Sequence, residues 1–224
     1  MIIAFEGIDG SGKDSVIKKL IERFSARGIE AKSFYIVGGS LVADKIRNIM
    51  FNPEVEMTES SRELFYSIIR TEVFAEAERY HRENPDHVII FNRTIISSLV
   101  YQALSSNDYN AIKRISYLYS ASVDFKFFGT PATDIENIFY LKIPLETSLK
   151  RDEIGCDYDN NNSSRLDLAR RLYNMIFDED YDYMLRSIAG SQLFKFLDRT
   201  NLVTIDAEQD LEKVVDDIEM FCIN

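Results

Sequence analysis

The sequence predicts an α/β fold, a five-stranded parallel sheet with helices on both faces. Three observations carry that expectation. Five short apolar runs, at residues 2–5, 31–37, 87–91, 137–143 and 202–205, are each bounded by polar or turn residues, as buried strands are. Helical periodicity fills the intervals between them, and strands that alternate with helices pair in parallel and are covered on both sides. A glycine-rich loop, residues 7–12, leaves the first strand and enters the first helix.

Each element has its own signal. After the first strand, Ile17, Leu20, Ile21 and Phe24 recur at the spacing of one helix face. Residues from about 60 to 83 read as a long helix. Leu166, Ala169, Leu172, Tyr173 and Ile176 mark another, and Leu211, Val214, Val215 and Ile218 a C-terminal one. The run 157–164 (Asp-Tyr-Asp-Asn-Asn-Asn-Ser-Ser) reads as an exposed loop. With no internal repeat and no long linker, a single domain over residues 1–224 is expected, with a short lid at about 152–164.

The chain has 224 residues, of which 46% are apolar, enough for a substantial core. With 26 Lys+Arg against 37 Asp+Glu, the net charge is −11, and most of the acid excess lies beyond residue 112. Such a chain is poorly suited to gripping polymeric nucleic acid or an anionic membrane. A small anionic ligand remains compatible, because a local pocket can oppose the global charge. Cys156 and Cys222 make no disulfide framework, no apolar stretch is long enough for a membrane helix, and no leader pattern is present. A cytoplasmic location is expected. His81 and His87 read as surface or packing residues, and the 15 Phe and 12 Tyr as mostly core.

The sharpest signal is Gly7-Ile8-Asp9-Gly10-Ser11-Gly12-Lys13-Asp14-Ser15. A strand, a glycine-rich turn, a lysine and a helix together form a phosphate loop, and predict a P-loop NTPase fold. Its backbone N–H groups and the positive end of the helix would hold the phosphates of ATP, and Lys13 would reach the β- and γ-phosphates. The hydroxyl that usually follows the lysine and binds Mg²⁺ is replaced by Asp14, with Ser15 one place later. Three readings stay open: Asp14 meets the ion directly or through water, it turns away and Ser15 substitutes, or the site is weakened.

Other residues suit an anionic acceptor. Arg93 stands at the C-terminal end of the third predicted strand, where parallel sheets present their ligands, and its planar fork suits a phosphate. Arg47, on a helix after the second strand, could join it. Tyr66 and Arg70 lie one helical turn apart, so that a ring can stack on a base while the guanidinium meets a base carbonyl.

Taken with Phe5-Glu6 before the loop, these segments resemble thymidylate kinases. Gly38-Gly39-Ser40 with Lys45-Ile46-Arg47, Leu64-Phe65-Tyr66-Ser67 with Arg70, and the stretch from Asn92-Arg93 to Ser97, Ser98, Tyr101 and Gln102 match family segments in the right order. So do Leu141-Lys142-Ile143-Pro144 with Arg151, and Ile205-Asp206-Ala207. The resemblance implies an ATP- and Mg²⁺-dependent nucleoside monophosphate kinase acting on dTMP or a related deoxynucleotide. It implies that Asp9 accepts from a sugar hydroxyl, that Tyr101 packs against the sugar, that Ser97 and Gln102 line the acceptor site, and that Ala207 lies in the adenine-side loop. It also implies a possible homodimer.

The chain departs from the family pattern in three places. Asn92 replaces an aspartate that helps hold Mg²⁺, so Asp14 and Asn92 look like an exchange of one carboxylate for another. Tyr35-Ile36-Val37 replaces Arg-Glu-Pro, which leaves the base open. No Lys or Arg lies between Arg151 and Arg165, so one of those two would have to serve the lid. A deoxynucleoside or modified-nucleotide kinase is one alternative, although a deoxynucleoside kinase usually needs a carboxylate base after the second strand and none is there. A nucleotide-binding module with little transfer is the remaining alternative.

Overall fold

The structure, a computed structural model, describes residues 1–103, 134–151, 163–177 and 199–222; of Gln102 and Ala103 only the backbone is described. The strands are β1 (Ile2–Glu6), β2 (Ala31–Tyr35), β3 (Val88–Asn92), β4 (Asn137–Lys142) and β5 (Asn201–Asp206). All pair in parallel, in the order β2-β3-β1-β4-β5. The described helices are α1 (Lys13–Ala26), α2 (Leu41–Met50), α3 (Glu59–Glu83), α4 (Ile95–Ser98), α5 (Leu145–Arg151), α6 (Ser163–Phe177) and α7 (Leu211–Cys222). A π-helical turn, Leu99–Ala103, continues α4. The expected five-stranded α/β architecture is therefore the observed one.

Side-chain alternation along the strands decides which helix covers which face. Phe5 and Phe139 are register partners whose rings lie 5.5 Å apart, and Phe221 of α7 packs edge-on against Phe139. The next residue of each strand points the other way. Tyr140 stacks on Tyr173 of α6 at 5.3 Å, and Phe91 meets Phe74 of α3. So α1 and α7 cover one face, with α3 and α6 on the other. β1, β3 and β4 are buried along nearly their whole length. The outer strands β2 and β5 are less buried because each has one neighbour and carries polar residues such as Ser33 and Asn201.

Two helices show why sequence periodicity was informative or muted. In α1, Val16, Ile17, Leu20 and Phe24 form one buried stripe. α3 buries two stripes, an apolar one (Ile69, Val73, Ala77) and a polar one (Glu63, Ser67, Arg70), so it has little net amphipathicity. Its polar stripe faces the site described below. β2 ends at Tyr35, two residues before the expected boundary. The Ile36 N–H still donates to the Asn92 carbonyl (3.1 Å), but Gly38 N–H then donates back to Tyr35 O (3.2 Å) and turns the chain away.

Candidate active site

The C-terminal ends of all five strands lie at one edge of the sheet, and the predicted site residues gather there. The loop after β1 wraps around a lysine. Lys13 Nζ donates to Gly7 O and Ile8 O, both at 3.0 Å, and to Ser11 Oγ at 3.2 Å. Burial, followed by the nearby Arg93 charge, pulls the Lys13 ammonium down to about 7. Gly12 caps α1 in the left-handed region (φ 89°). Gly10 (φ 73°) lies so close to α5 that a Cβ there would stand 2.5 Å from the Ser148 carbonyl oxygen. Ser148 Oγ donates to Asp9 O at 2.6 Å, tying the loop to α5.

At the end of β3, the chain turns sharply. Arg93 is the one described non-glycine residue with positive φ (76°), a conformation that costs about 1–3 kcal/mol. The turn aims its guanidinium back at the phosphate loop, where it is buried. It ion-pairs with Asp9 and donates to Gly7 O (3.2 Å) and Ser97 Oγ (3.1 Å). Burial opposes its charge, but the Asp9 carboxylate together with Tyr101, Tyr173 and Tyr35 outweighs it, and Arg93 is held well above the usual arginine range.

Under this turn lies Glu6, fully buried at the end of β1. One oxygen accepts from Thr94 N (2.6 Å), Thr94 Oγ1 (2.7 Å) and Ser97 N (3.3 Å). The other accepts from Ser97 Oγ (2.7 Å) and from Tyr173 OH (2.8 Å). Burial and then the Glu6 charge push the Tyr173 phenol well above its ordinary value, so it remains a donor.

Between Arg93, α2, α3 and the π-helical turn is a cavity of about 700 Å³, within the size range of small-molecule sites. Asp9, Arg47, Tyr66, Arg70, Ser97 and Tyr101 all line it, so six sequence-predicted acceptor residues converge with Arg93. Arg47 lies over the rings of Tyr35 (5.7 Å) and Phe51 (5.5 Å). Arg70, buried, donates to Ser98 Oγ (2.9 Å) and Ser67 Oγ (3.2 Å). Arg93 stands over the Tyr101 ring at 5.6 Å. The Gln102 side chain and the lid at about 152–162 lie outside the described residues.

The two lid-arginine candidates stand on opposite sides. Arg151 donates to Ala207 O (3.2 Å) and lies 4.0 Å from where a Gly12 Cβ would be, beside the phosphate loop. Arg165 lines the cavity and donates to Tyr101 O (3.1 Å). Where the sequence leads one to expect Mg²⁺, Asn92 Nδ2 donates to Asp14 Oδ1 at 2.7 Å, while Asn92 Oδ1 is buried with no hydrogen-bond partner among the described residues. Ser15 is exposed on α1 and is not drawn into this pair.

The sequence carries the same signature throughout. The family model for thymidylate kinase matches residues 5–218. The chain belongs to the thymidylate kinase family. Thymidylate kinases of Pediococcus pentosaceus and Ligilactobacillus salivarius are each 29% identical to it, over 96% of this chain and 93% of theirs. That of Pelodictyon phaeoclathratiforme is 34% identical over 67% of this chain; the match spans 65% of that relative's length, just under two thirds. Membership makes the chain a P-loop nucleoside monophosphate kinase of the family that uses ATP with Mg²⁺. No described helix is long and apolar enough to cross a membrane.

Against the family pattern, four contributors to this kinase site had no role assigned from sequence. Glu6 was visible only as part of the Phe5-Glu6-Gly7 string. Ser148 and Tyr173 sit in ordinary helical patterns, and their partners are 76 to 167 residues away. Tyr35 was noticed as a departure, but its contact with Arg47 needs the turn after β2.

Proposed function

We propose that this chain transfers the γ-phosphate of ATP to dTMP or a related deoxynucleoside monophosphate, giving the diphosphate and ADP. The observation that carries the reading is Arg93, a buried cation shared by the phosphate loop and the floor of the cavity. In the reaction an acceptor phosphate oxygen forms a bond to the γ-phosphorus. The bond from that phosphorus to the β–γ bridging oxygen breaks, and its electron pair leaves with ADP. The acceptor is already an anion near neutral pH, so positioning and charge neutralisation supply the catalysis.

Residue roles follow. Gly7, Gly10, Ser11, Gly12 and Lys13 hold the donor phosphates, with Arg151 and Ala207 on the adenine side. Arg93 and Arg47 hold the acceptor phosphate. Tyr66 and Arg70 meet the base, and Asp9, Ser97, Tyr101 and Gln102 the sugar side. Asp14 and Asn92 suit Mg²⁺: a carboxylate and an amide are hard oxygen donors, and the buried Asn92 Oδ1 has no hydrogen-bond partner among the described residues, leaving it an unused acceptor. Ser15 is the weaker of the three candidates. The ion, when bound, neutralises charge on the β- and γ-phosphate oxygens.

The same reading includes one kinase domain over residues 1–224 with a lid near 152–164, a cytoplasmic location, and a homodimer. Exposed apolar residues on α2 (Leu41, Val42, Ile49) and α3 (Leu64, Ile68) support the dimer. A coupled ADP-release assay with Mg-ATP against a panel of nucleoside monophosphates and free nucleosides tests the activity. Turnover of dTMP or a close relative is expected; turnover of nucleosides alone would overturn it. Asp14→Ser tests the metal assignment, and an unchanged rate and Mg²⁺ dependence would remove Asp14 from it.

A further inference from the structure

We propose that Glu6 is a positioning residue for Arg93, acting through the hydroxyl of Ser97, and that Tyr173 of α6 completes the device. This rests on the reading of Arg93 as a holder of the acceptor phosphate. The geometry is a chain of donors with a single direction. The one Ser97 hydroxyl proton goes to Glu6 Oε2 at 2.7 Å. Its lone pairs are therefore turned outward, and Arg93 Nη1 donates into them at 3.1 Å. Tyr173 OH lies 2.9 Å from the same oxygen and donates to the same carboxylate.

Glu6 also secures the strained backbone. Arg93 has φ 76°, and the next residue, Thr94, gives both its N–H and its hydroxyl to Glu6 Oε1. A left-handed arginine persists only where its surroundings over-determine it. Here five donors from the turn and from α6 converge on one buried carboxylate. Glu6 lies on the α3/α6 face of the sheet, opposite the Asn92–Asp14 pair, and its described contacts all run to the turn and to α6. It makes no hydrogen bond to Lys13, on which its charge acts only at a distance, and it does not line the cavity, so its direct bonds serve to fix where Arg93 points.

An amide breaks this polarity. In Glu6→Gln one end becomes an NH₂ donor and can no longer accept from both hydroxyls. Ser97 must then redirect its proton, and the Arg93 donor loses its acceptor. The expected result is a rise of about tenfold in KM for dTMP, with KM for ATP changing less than about twofold, the size expected for losing one charge-assisted hydrogen bond. Arg93→Lys is measured alongside. If Arg93→Lys leaves the acceptor KM unchanged, the reading of Arg93 itself is wrong. If it raises that KM, the double variant decides. A double variant no worse than Arg93→Lys alone supports action through Arg93, and additive effects overturn it. Should Glu6→Gln fail to fold, Tyr173→Phe keeps the ring stack on Tyr140 and removes only the hydroxyl. A several-fold rise in acceptor KM at constant ATP KM supports the proposal, and an unchanged acceptor KM overturns it.

Discussion

Among the described residues Arg47 makes no salt bridge to a carboxylate, and it illustrates how rings can keep a cation in place. It rests on two aromatic faces, one of which, Tyr35, occupies a segment where the family has Arg-Glu-Pro. The chain has exchanged a second cation for a ring that orients the first. Tyr35→Leu is expected to raise the dTMP KM about threefold while leaving the ATP KM in place, and Tyr35→Phe to restore it, in steady-state kinetics. Gly10 makes the opposite kind of demand. Its φ and the Ser148 carbonyl leave no space for a methyl group. Gly10→Ala should cost about 2–4 kcal/mol in denaturant unfolding and weaken ATP binding, because either the loop or α5 must shift.

At the scale of elements, α1 and α7 are held together by a charged seam above an apolar one. Arg23 bridges Glu212, Asp216 and Glu219, and Arg27 shares Glu219. Beneath it, Leu20 is completely buried, and Leu20→Ala should destabilise the fold by about 2–5 kcal/mol in chemical denaturation. Near the end of α7, burial pushes the Cys222 thiol up to about 12. The unfolded thiol ionises near its ordinary value of about 8.5. Its contribution to stability is therefore constant below that pH and is lost as pH rises from there toward 12. Native Cys222 should alkylate far more slowly than a free thiol at pH 8, as followed by mass spectrometry, and at the normal rate once unfolded.

At the scale of the whole molecule, the apolar residues left exposed on α2 and α3 are the surface for the proposed dimer. Leu64→Lys should shift the protein to monomer in sedimentation velocity without altering its unfolding midpoint by more than a few degrees, since Leu64 is half exposed. How far the sequence speaks also depends on scale. All five strands and the helix of the phosphate loop were legible, because their signals are local: apolar runs, a 3.6-residue stripe, glycines at fixed spacing. Arg93, Arg47, Tyr66 and Arg70 were legible as candidates because each residue type suits the ligand proposed for it, and the structure brings all four to one cavity. Glu6, Ser148 and Tyr173 were not legible as a device. Glu6 is four residues into a buried strand and pairs with residues 88, 91 and 167 positions away. Nothing local distinguishes such a carboxylate from any other acidic strand end. The double stripe of α3 likewise hid its polar face from periodicity.

The strand order itself has a kinetic consequence. Apart from Asp9, the residues assigned to the acceptor follow β2 and β3, while Arg151 and Ala207 on the adenine side follow β4 and β5, with β1 and its phosphate loop between them as a common root. The molecule is thus a balance with one fulcrum. Changes at Arg47 or Tyr66, after β2, should move mainly the monophosphate's kinetic constants, and changes at Arg151 or Ala207, after β4 and β5, mainly those of ATP, with Tyr173 set apart because it reaches across to Ser97. A core substitution in β1, such as Phe5→Leu, should disturb both together, so a table of paired KM values would read out the order of the strands.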